Sequence, residues 1–245
     1  MQENIIEIFS SIQGEGKYVG CRQVFVRLEG CNLACRYCDT ENRPHTHPFC
    51  MVEERAGKRR FLRLQNPFSA EQAAARIRKM LVDLPHHAVS FTGGEPLLHA
   101  AFIQAIAKKI KGKTAIFLET NGTLVKPLQE ILSDIDIISM DIKMPSILSV
   151  PQWEAHVAFL QVAQKKDLYV KVVVSNETGK AEFFRAVHLV RENAPYACFI
   201  IQPVTPFGGC VAASPQKILD FQEIALRYLA DVRVIPQTHK LIGQL

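Results

Sequence analysis

No stretch of this chain is apolar for the ~18 residues that a bilayer crossing takes. Its opening, MQENIIEIFSSIQGEG, lacks a basic start, a long apolar run and a small-residue cleavage site. A secretory signal is therefore not expected, and a cytoplasmic location is. Internal repeats and low-complexity tracts are missing as well. So is a basic stripe with interleaved aromatics: 29 Lys and Arg against 24 Asp and Glu leave a net charge of only +5, scattered except for Lys58-Arg59-Arg60. These absences argue against a nucleic-acid binder and against a membrane protein. They leave a small anionic substrate or an acidic protein partner. Disulfide staples are not needed either, because 245 residues, 48% of them hydrophobic, can bury a sizeable core unaided.

What is present is a recurrence of short, β-branched apolar runs. VFVRLEG (24–30), AVSFTGG (88–94), AIFLETNG (115–122), IDIISMDIK (135–143), YVKVVVSN (169–176), CFIIQPVTP (198–206) and DVRVIPQTH (231–239) each read as a buried strand bounded by turn residues. Helical patterns lie between them. SAEQAAARIRKMLVDL (69–84) opens on a Ser cap with a Glu two residues on, and puts Ala73, Ile77, Met80 and Leu81 on one face. Strand–helix alternation implies right-handed crossovers and a parallel sheet. The units are fewer than the eight of a closed barrel. The expected fold is a single α/β domain over 1–245, an incomplete (β/α) TIM-like barrel of six to seven parallel strands. Residues 41–67 stand outside the pattern and read as an insertion on the barrel mouth, with a hairpin turning at Ala56-Gly57.

The polar motifs follow the strands. Cysteines come after the first, TGGEP after the second, ETNG after the third, Asp141 and Lys143 after the fourth, QPVT and PQTH after the last two. The C-terminal ends of parallel barrel strands share one face, and that face carries chemistry. Motifs distant in sequence are therefore expected to meet, which points to an enzyme.

In GCNLACRYCDT (30–40), Cys31, Cys35 and Cys38 fall within eight positions. In a reducing compartment this means metal or catalysis rather than disulfides. A structural zinc site wants four ligands, and His45 and His47 are the nearest candidates, so zinc stays open as the minor reading. Three thiolates suit an iron–sulfur cluster with one iron left for another ligand. Gly93-Gly94 lets backbone approach a ligand closely, Glu95 adds a carboxylate and Pro96 opens a helix.

The C-x3-C-x2-C spacing, with Tyr37 before the last cysteine, and TGGEP one strand later resemble the radical S-adenosylmethionine (SAM) superfamily. SIQGEGKYVG (11–20), Arg27 inside the first strand and the tail RVIPQTHKLIGQL narrow the resemblance to the 7-carboxy-7-deazaguanine synthases. That resemblance implies a 4Fe–4S cluster on Cys31, Cys35 and Cys38, SAM on its free iron, and Mg2+ on Thr40. It implies ring contraction of 6-carboxy-5,6,7,8-tetrahydropterin, with loss of ammonia, in queuosine and 7-deazapurine biosynthesis. It assigns Tyr37, Cys38, Asp39, Gly93, Gly94, Glu95 and Glu119 to SAM. Asp141, Ile142 and Lys143 join them, although only the lysine matches the family's usual Ser-Pro-Lys, and so do Gln202, Pro203, Val204 and Thr205. To the substrate it assigns Ile12, Gln13, Gly14, Glu15, Arg27, Thr92, His239 and the terminal carboxylate of Leu245. A homodimer and a reductant such as flavodoxin are implied too.

The residues agree with several of these roles. Arg27 offers a planar fork for a carboxylate. Gln13 and Glu15 offer amide and carboxylate partners to a pterin edge. Magnesium takes oxygen ligands and few of them from protein. Two alternatives compete: a glycyl-radical enzyme activator, which shares the cysteine and GGEP motifs, and a non-catalytic iron–sulfur electron carrier. The basic GKRRFLR, taken to lie beside the cluster loop, is a candidate docking site for an acidic flavodoxin. Cys21, Cys50, Cys198 and Cys210 receive no role.

Overall fold

A strand followed by an amphipathic helix packs economically only when the helix returns the chain to start the next strand parallel to the last. The computed structural model, which describes residues 1–38, 47–148 and 150–244, follows that rule. Its strands are β1 (Gln2–Glu3), β2 (Ile5–Ile12), β3 (Arg22–Leu28), β4 (Phe49–Glu53), β5 (Phe61–Gln65), β6 (Phe68–Ser69), β7 (Ala88–Gly93), β8 (Ala115–Thr120), β9 (Ile137–Ile142), β10 (Asp167–Val174), β11 (Cys198–Pro203) and β12 (Val232–Val234). Its helices are α1 (Ala70–Asp83), α2 (Ala100–Ile110), α3 (Val125–Ile131), α4 (Pro145–Leu148), α5 (Trp153–Ala163), α6 (Lys180–Asn193), α7 (Pro215–Leu226) and α8 (Thr238–Leu241).

All seven predicted strands form, and each is parallel to its neighbour: β3, then β7 to β12 in sequence order. Beyond β3 the sheet continues through antiparallel β2, then β4 and β5, to ten strands. It ends on β12 and β5 without closing, an open barrel as the count of units implied. The cap of α1 is the serine that the sequence reading named. Ser69 caps, and its reciprocal partner is Gln72, whose side chain accepts from the Ser69 backbone at 2.8 Å.

Side-chain parity decides what each strand contributes. Val24, Val26 and Leu28, Ile138, Met140 and Ile142, and Val170, Val172 and Val174 turn outward and are buried under the helices. Each such aliphatic contributes on the order of ~2 kcal/mol of burial. The alternate residues turn into the barrel. At its lower end Ala88, Phe117, Ile137, Tyr169, Cys198 and Ile200 make a second, inner core. The segment after β2 plugs this end. Tyr18 packs on Phe117, Tyr169 and His87, and its hydroxyl bonds Asp167 at the start of β10. Gly16 has φ +65°, and a Cβ there would meet the Tyr169 ring at 2.2 Å, so the plug needs glycine.

The expected hairpin forms as β4 and β5, with Gly57 at φ +72° in its turn. Its position corrects the expectation. The Ala56 amide donates to Asp83 at the end of α1, and Gly57 lies against Arg22, the first residue of β3. Because β4 runs parallel to β2, and β2 antiparallel to β3, the tip is carried to the lower end. The length of β3, ~20 Å at about 3.3 Å per residue, separates it from the cysteine loop. Lys58-Arg59-Arg60 is therefore not beside that loop.

Candidate active site

The upper strand ends surround one cavity with two lobes. The larger, about 240 Å³, is lined by Ile12, Gln13, Gly14, Glu15, Arg27 and His239. The smaller, about 120 Å³, is lined by Cys31, Cys35, Gly94, Asn121 and Lys143. Tyr37, Cys38, Thr92, Gly93, Glu119, Asp141 and Lys171 line both and form the passage between them. Asp39, Thr40, His45 and Leu245 lie outside the described residues.

Cys31, Cys35 and Cys38 are all half-buried. A turn brings the last two together, the Cys38 amide donating to the Cys35 carbonyl at 3.1 Å. Cys31 Sγ accepts from the Leu33 amide at 3.4 Å and from Asn121 Nδ2 at 3.9 Å. Burial pushes the Cys31 and Cys35 thiols up, against the pull of Lys143. Iron is what would draw their thiolates out. Among the described residues no group of three or more Cys, His, Asp or Glu converges on a single-ion position. Three thiolates, each on its own iron, are the set that a cluster with one open iron takes.

TGGEP builds the wall between β7 and the cysteine loop. Gly93 has φ +126°, and a Cβ there would meet the Leu28 carbonyl at 2.1 Å. The Glu95 amide donates to the Gly30 carbonyl at 2.8 Å, which pins the start of the cysteine loop. The Glu95 side chain does not reach the cavity. It is 0% exposed and accepts from the Leu97 amide, Thr120 Oγ1 and the Asn121 amide at 3.0, 2.8 and 2.7 Å. Burial raises its carboxyl to about 7 in spite of these donors. Ile142 points outward into the helix-covered core, by the parity of β9, and neither it nor Pro203 lines a lobe. Gln202, Val204 and Thr205 line the larger lobe with Gln13 and Arg27, away from Cys31 and Cys35.

The floor is a hydrogen-bonded unit. Gln13 Nε2 donates to Glu119 at 2.8 Å and to Gln23 at 3.1 Å, while its Oε1 accepts from the Glu15 amide at 3.0 Å. Thr92 Oγ1 donates to the other Glu119 oxygen at 2.6 Å. The tail closes the side, with the Thr238 amide and hydroxyl both donating to the Gly14 carbonyl at 2.9 and 3.0 Å. Arg27 Nε donates to Glu7 at 2.6 Å. Burial opposes the ionisation of Glu15, but Lys171 and Gln237 at its oxygens hold it down at about 2. Burial likewise works against the Lys171 ammonium, yet Asp141, Glu15 and Glu119 around it keep it above the usual lysine range.

Sequence reasoning missed Lys171, Glu7, Gln237 and Asn121. Lys171 carried a signal: it is the one charge inside the apolar run YVKVVVSN, and parity turns it inward with Tyr169 and Val173. Asn121 sits inside ETNG, whose glutamate drew the attention.

The radical SAM superfamily model matches residues 25–192. The 7-carboxy-7-deazaguanine synthase of Geobacter sulfurreducens is 40% identical over 242 residues, covering 98% of this chain and 96% of its own length. That of Archaeoglobus fulgidus is 36% identical over 249 residues, covering 99% of each. The crystal structure of QueE from Escherichia coli shares the fold at a TM-score of 0.64 and 19% identity, over 98% of this chain and 95% of that one.

Proposed function

This chain belongs to the radical SAM superfamily and, within it, to the 7-carboxy-7-deazaguanine synthases, and on that premise we propose how its residues divide the work. The reaction is the ring contraction of 6-carboxy-5,6,7,8-tetrahydropterin to 7-carboxy-7-deazaguanine, with loss of ammonia. A 4Fe–4S cluster with SAM on its open iron supplies, when bound, the 5′-deoxyadenosyl radical that takes a hydrogen atom from the pterin.

Cys31, Cys35 and Cys38 hold the cluster. Gly94 brings backbone to SAM, and Tyr37, Asp141 and Lys143 bound its lobe. Arg27 takes the substrate carboxylate. Glu7 occupies its Nε, which leaves the two terminal nitrogens as the fork. Glu15 and Glu119 offer acceptors to the donor edge of a pterin, with Gln13 bracing both. His239 and the tail shut the lobe from water.

The observation that carries this reading is one cavity with three cysteines at one end and Arg27, Glu15 and His239 at the other. Its plugged floor and volume of about 240 Å³ suit a small bicyclic substrate rather than a loop of a partner protein. Mg2+ on Thr40, SAM contact by Asp39 and substrate contact by the Leu245 carboxylate belong to the same proposal and rest on the family pattern alone. So do a homodimer, a flavodoxin-class reductant and a cytoplasmic site of action. Among the described residues no helix is long and apolar enough to cross a membrane.

The test is anaerobic incubation of the reconstituted protein with SAM, dithionite and carboxytetrahydropterin. Both 5′-deoxyadenosine and the deazaguanine are expected. Deoxyadenosine without the deazaguanine would remove the substrate assignment, and no SAM cleavage would remove the enzyme reading.

A further inference from the structure

A lysine in the middle of a buried strand needs a reason, because desolvating an ammonium costs several kcal/mol. Lys171 lies between Val170 and Val172, is 8% exposed and lines both lobes of the cavity. Its Nζ bonds Glu15 Oε2 in the floor and stands 3.3 Å from Asp141 Oδ1 in the wall. Asp141 Oδ2 accepts from Lys143 Nζ at 2.7 Å, and Lys143 donates also to the Tyr37 hydroxyl at 2.9 Å. On the far side, Gln237 Nε2 donates to Glu15 Oε1 at 2.7 Å. Hydrogen bonds, and between Lys171 and Asp141 an ion pair alone, link the cysteine loop to the tail through Tyr37–Lys143–Asp141–Lys171–Glu15–Gln237.

We propose that Lys171 is a positioning residue of this reaction: a single ammonium, held between Glu15 of the substrate lobe and Asp141 of the passage, keeps the substrate lobe and the cofactor lobe in one alignment. The inference rests on the pterin reading given above. Charge bookkeeping supports it. From the elements packed around it, Glu15 faces Lys171 and Tyr169 of β10, Gln237 and His239 of the tail and, across Lys171, Asp141 of β9 and Glu119 of β8. Lys171 is the cation that bonds Glu15 directly. Without it, burial and two neighbouring carboxylates push Glu15 toward its neutral form. The floor then presents a hydroxyl where it had presented an acceptor.

The experiment compares Lys171→Met, Lys171→Arg, Glu15→Gln and the double variant E15Q/K171M as reconstituted full-length proteins. Iron content and thermal melting are read first, then kcat and KM for carboxytetrahydropterin, the pH profile of kcat/KM, and deoxyadenosine released per deazaguanine formed. K171M is expected to raise KM on the order of tenfold or more, the loss of one buried charge pair. The acidic limb of its kcat/KM profile moves up by about one pH unit or more. More deoxyadenosine is released per product, and K171R recovers most of each effect. In the E15Q background K171M adds little. The proposal falls if K171M keeps the wild-type KM and pH profile, or if the losses of E15Q and K171M multiply. Should K171M fail to fold, E15Q carries the test, and a wild-type KM for E15Q overturns the proposal. A wild-type protein that makes no deazaguanine would instead overturn the pterin reading itself.

Discussion

Replacing Arg27 by lysine keeps the positive charge and removes the fork. Arg27 turns into the larger lobe by the parity of β3, and its Nε is held by Glu7 at 2.6 Å with side chains 26% and 19% exposed. Lysine reaches either Glu7 or the substrate carboxylate, but cannot bond both with the same geometry. The loss is one charge-assisted hydrogen bond to the ligand, about 1.5–3 kcal/mol. With about a quarter of the side chain in solvent the lower half of that range applies, roughly 10- to 40-fold in kcat/KM at about 1.4 kcal/mol per decade. The assay is the anaerobic rate of deazaguanine formation against carboxytetrahydropterin concentration at saturating SAM. SAM cleavage without substrate serves as the control for the cysteine lobe, and it is expected to survive. An R27K protein within twofold of wild type would refute the reasoning. So would an equal loss of substrate-free SAM cleavage, because Arg27 would then be acting on the cofactor lobe.

Other outcomes follow from the same geometry. A Cβ on Gly14 would stand 2.3 Å from His239 Nδ1, so G14A should push the tail off the floor. Residues 236–244 should lose protection in hydrogen exchange and KM should rise severalfold, about 1 kcal/mol or more of misfit; unchanged protection contradicts this. Glu95, raised to about 7 by burial from its ordinary 4.5, binds its proton more tightly folded than unfolded. Its contribution to stability is therefore present below about 4.5 and is lost as pH rises toward 7, on the order of ~3 kcal/mol. Denaturant titrations of the holoprotein between pH 5 and 7 should show that slope, and E95Q should lack it. Glu15, held at about 2, works in the other direction and lower window, losing its contribution only as pH falls from 4.5 toward 2. The basic hairpin tip lies a strand's length from the cysteines, so K58E/R60E should leave flavodoxin-driven turnover unchanged at low salt. A salt-sensitive loss there would return the tip to the electron path.

Much of the site was legible because it lies at the ends of strands that announce themselves locally. The seven β-branched runs needed only their own composition and turn residues, and the strand-end rule then gathered the cysteines, TGGEP, Asp141 and Lys143. What escaped depended on partners far away in the chain. The direction of the β4–β5 hairpin is set by the antiparallel pairing of β2 with β3, which no residue in 49–65 encodes. Glu95 reads as a cavity carboxylate until Thr120 and the Asn121 amide, more than twenty positions on, are seen to claim it. Ile142 sits between two lining residues and misses the cavity by one step of strand parity. Applied to YVKVVVSN, the same parity would have turned Lys171 inward with Tyr169.

In the proposed reaction pterin and SAM meet in one cavity and a hydrogen atom passes between them. Carboxytetrahydropterin carrying deuterium at C6, turned over anaerobically by the reconstituted protein and followed by mass spectrometry, tests it most directly. Deuterium is predicted at the 5′ carbon of the adenosyl group, in recovered SAM or in 5′-deoxyadenosine. Deazaguanine formed with all the deuterium lost to water, and none on the adenosyl carbon, would contradict it.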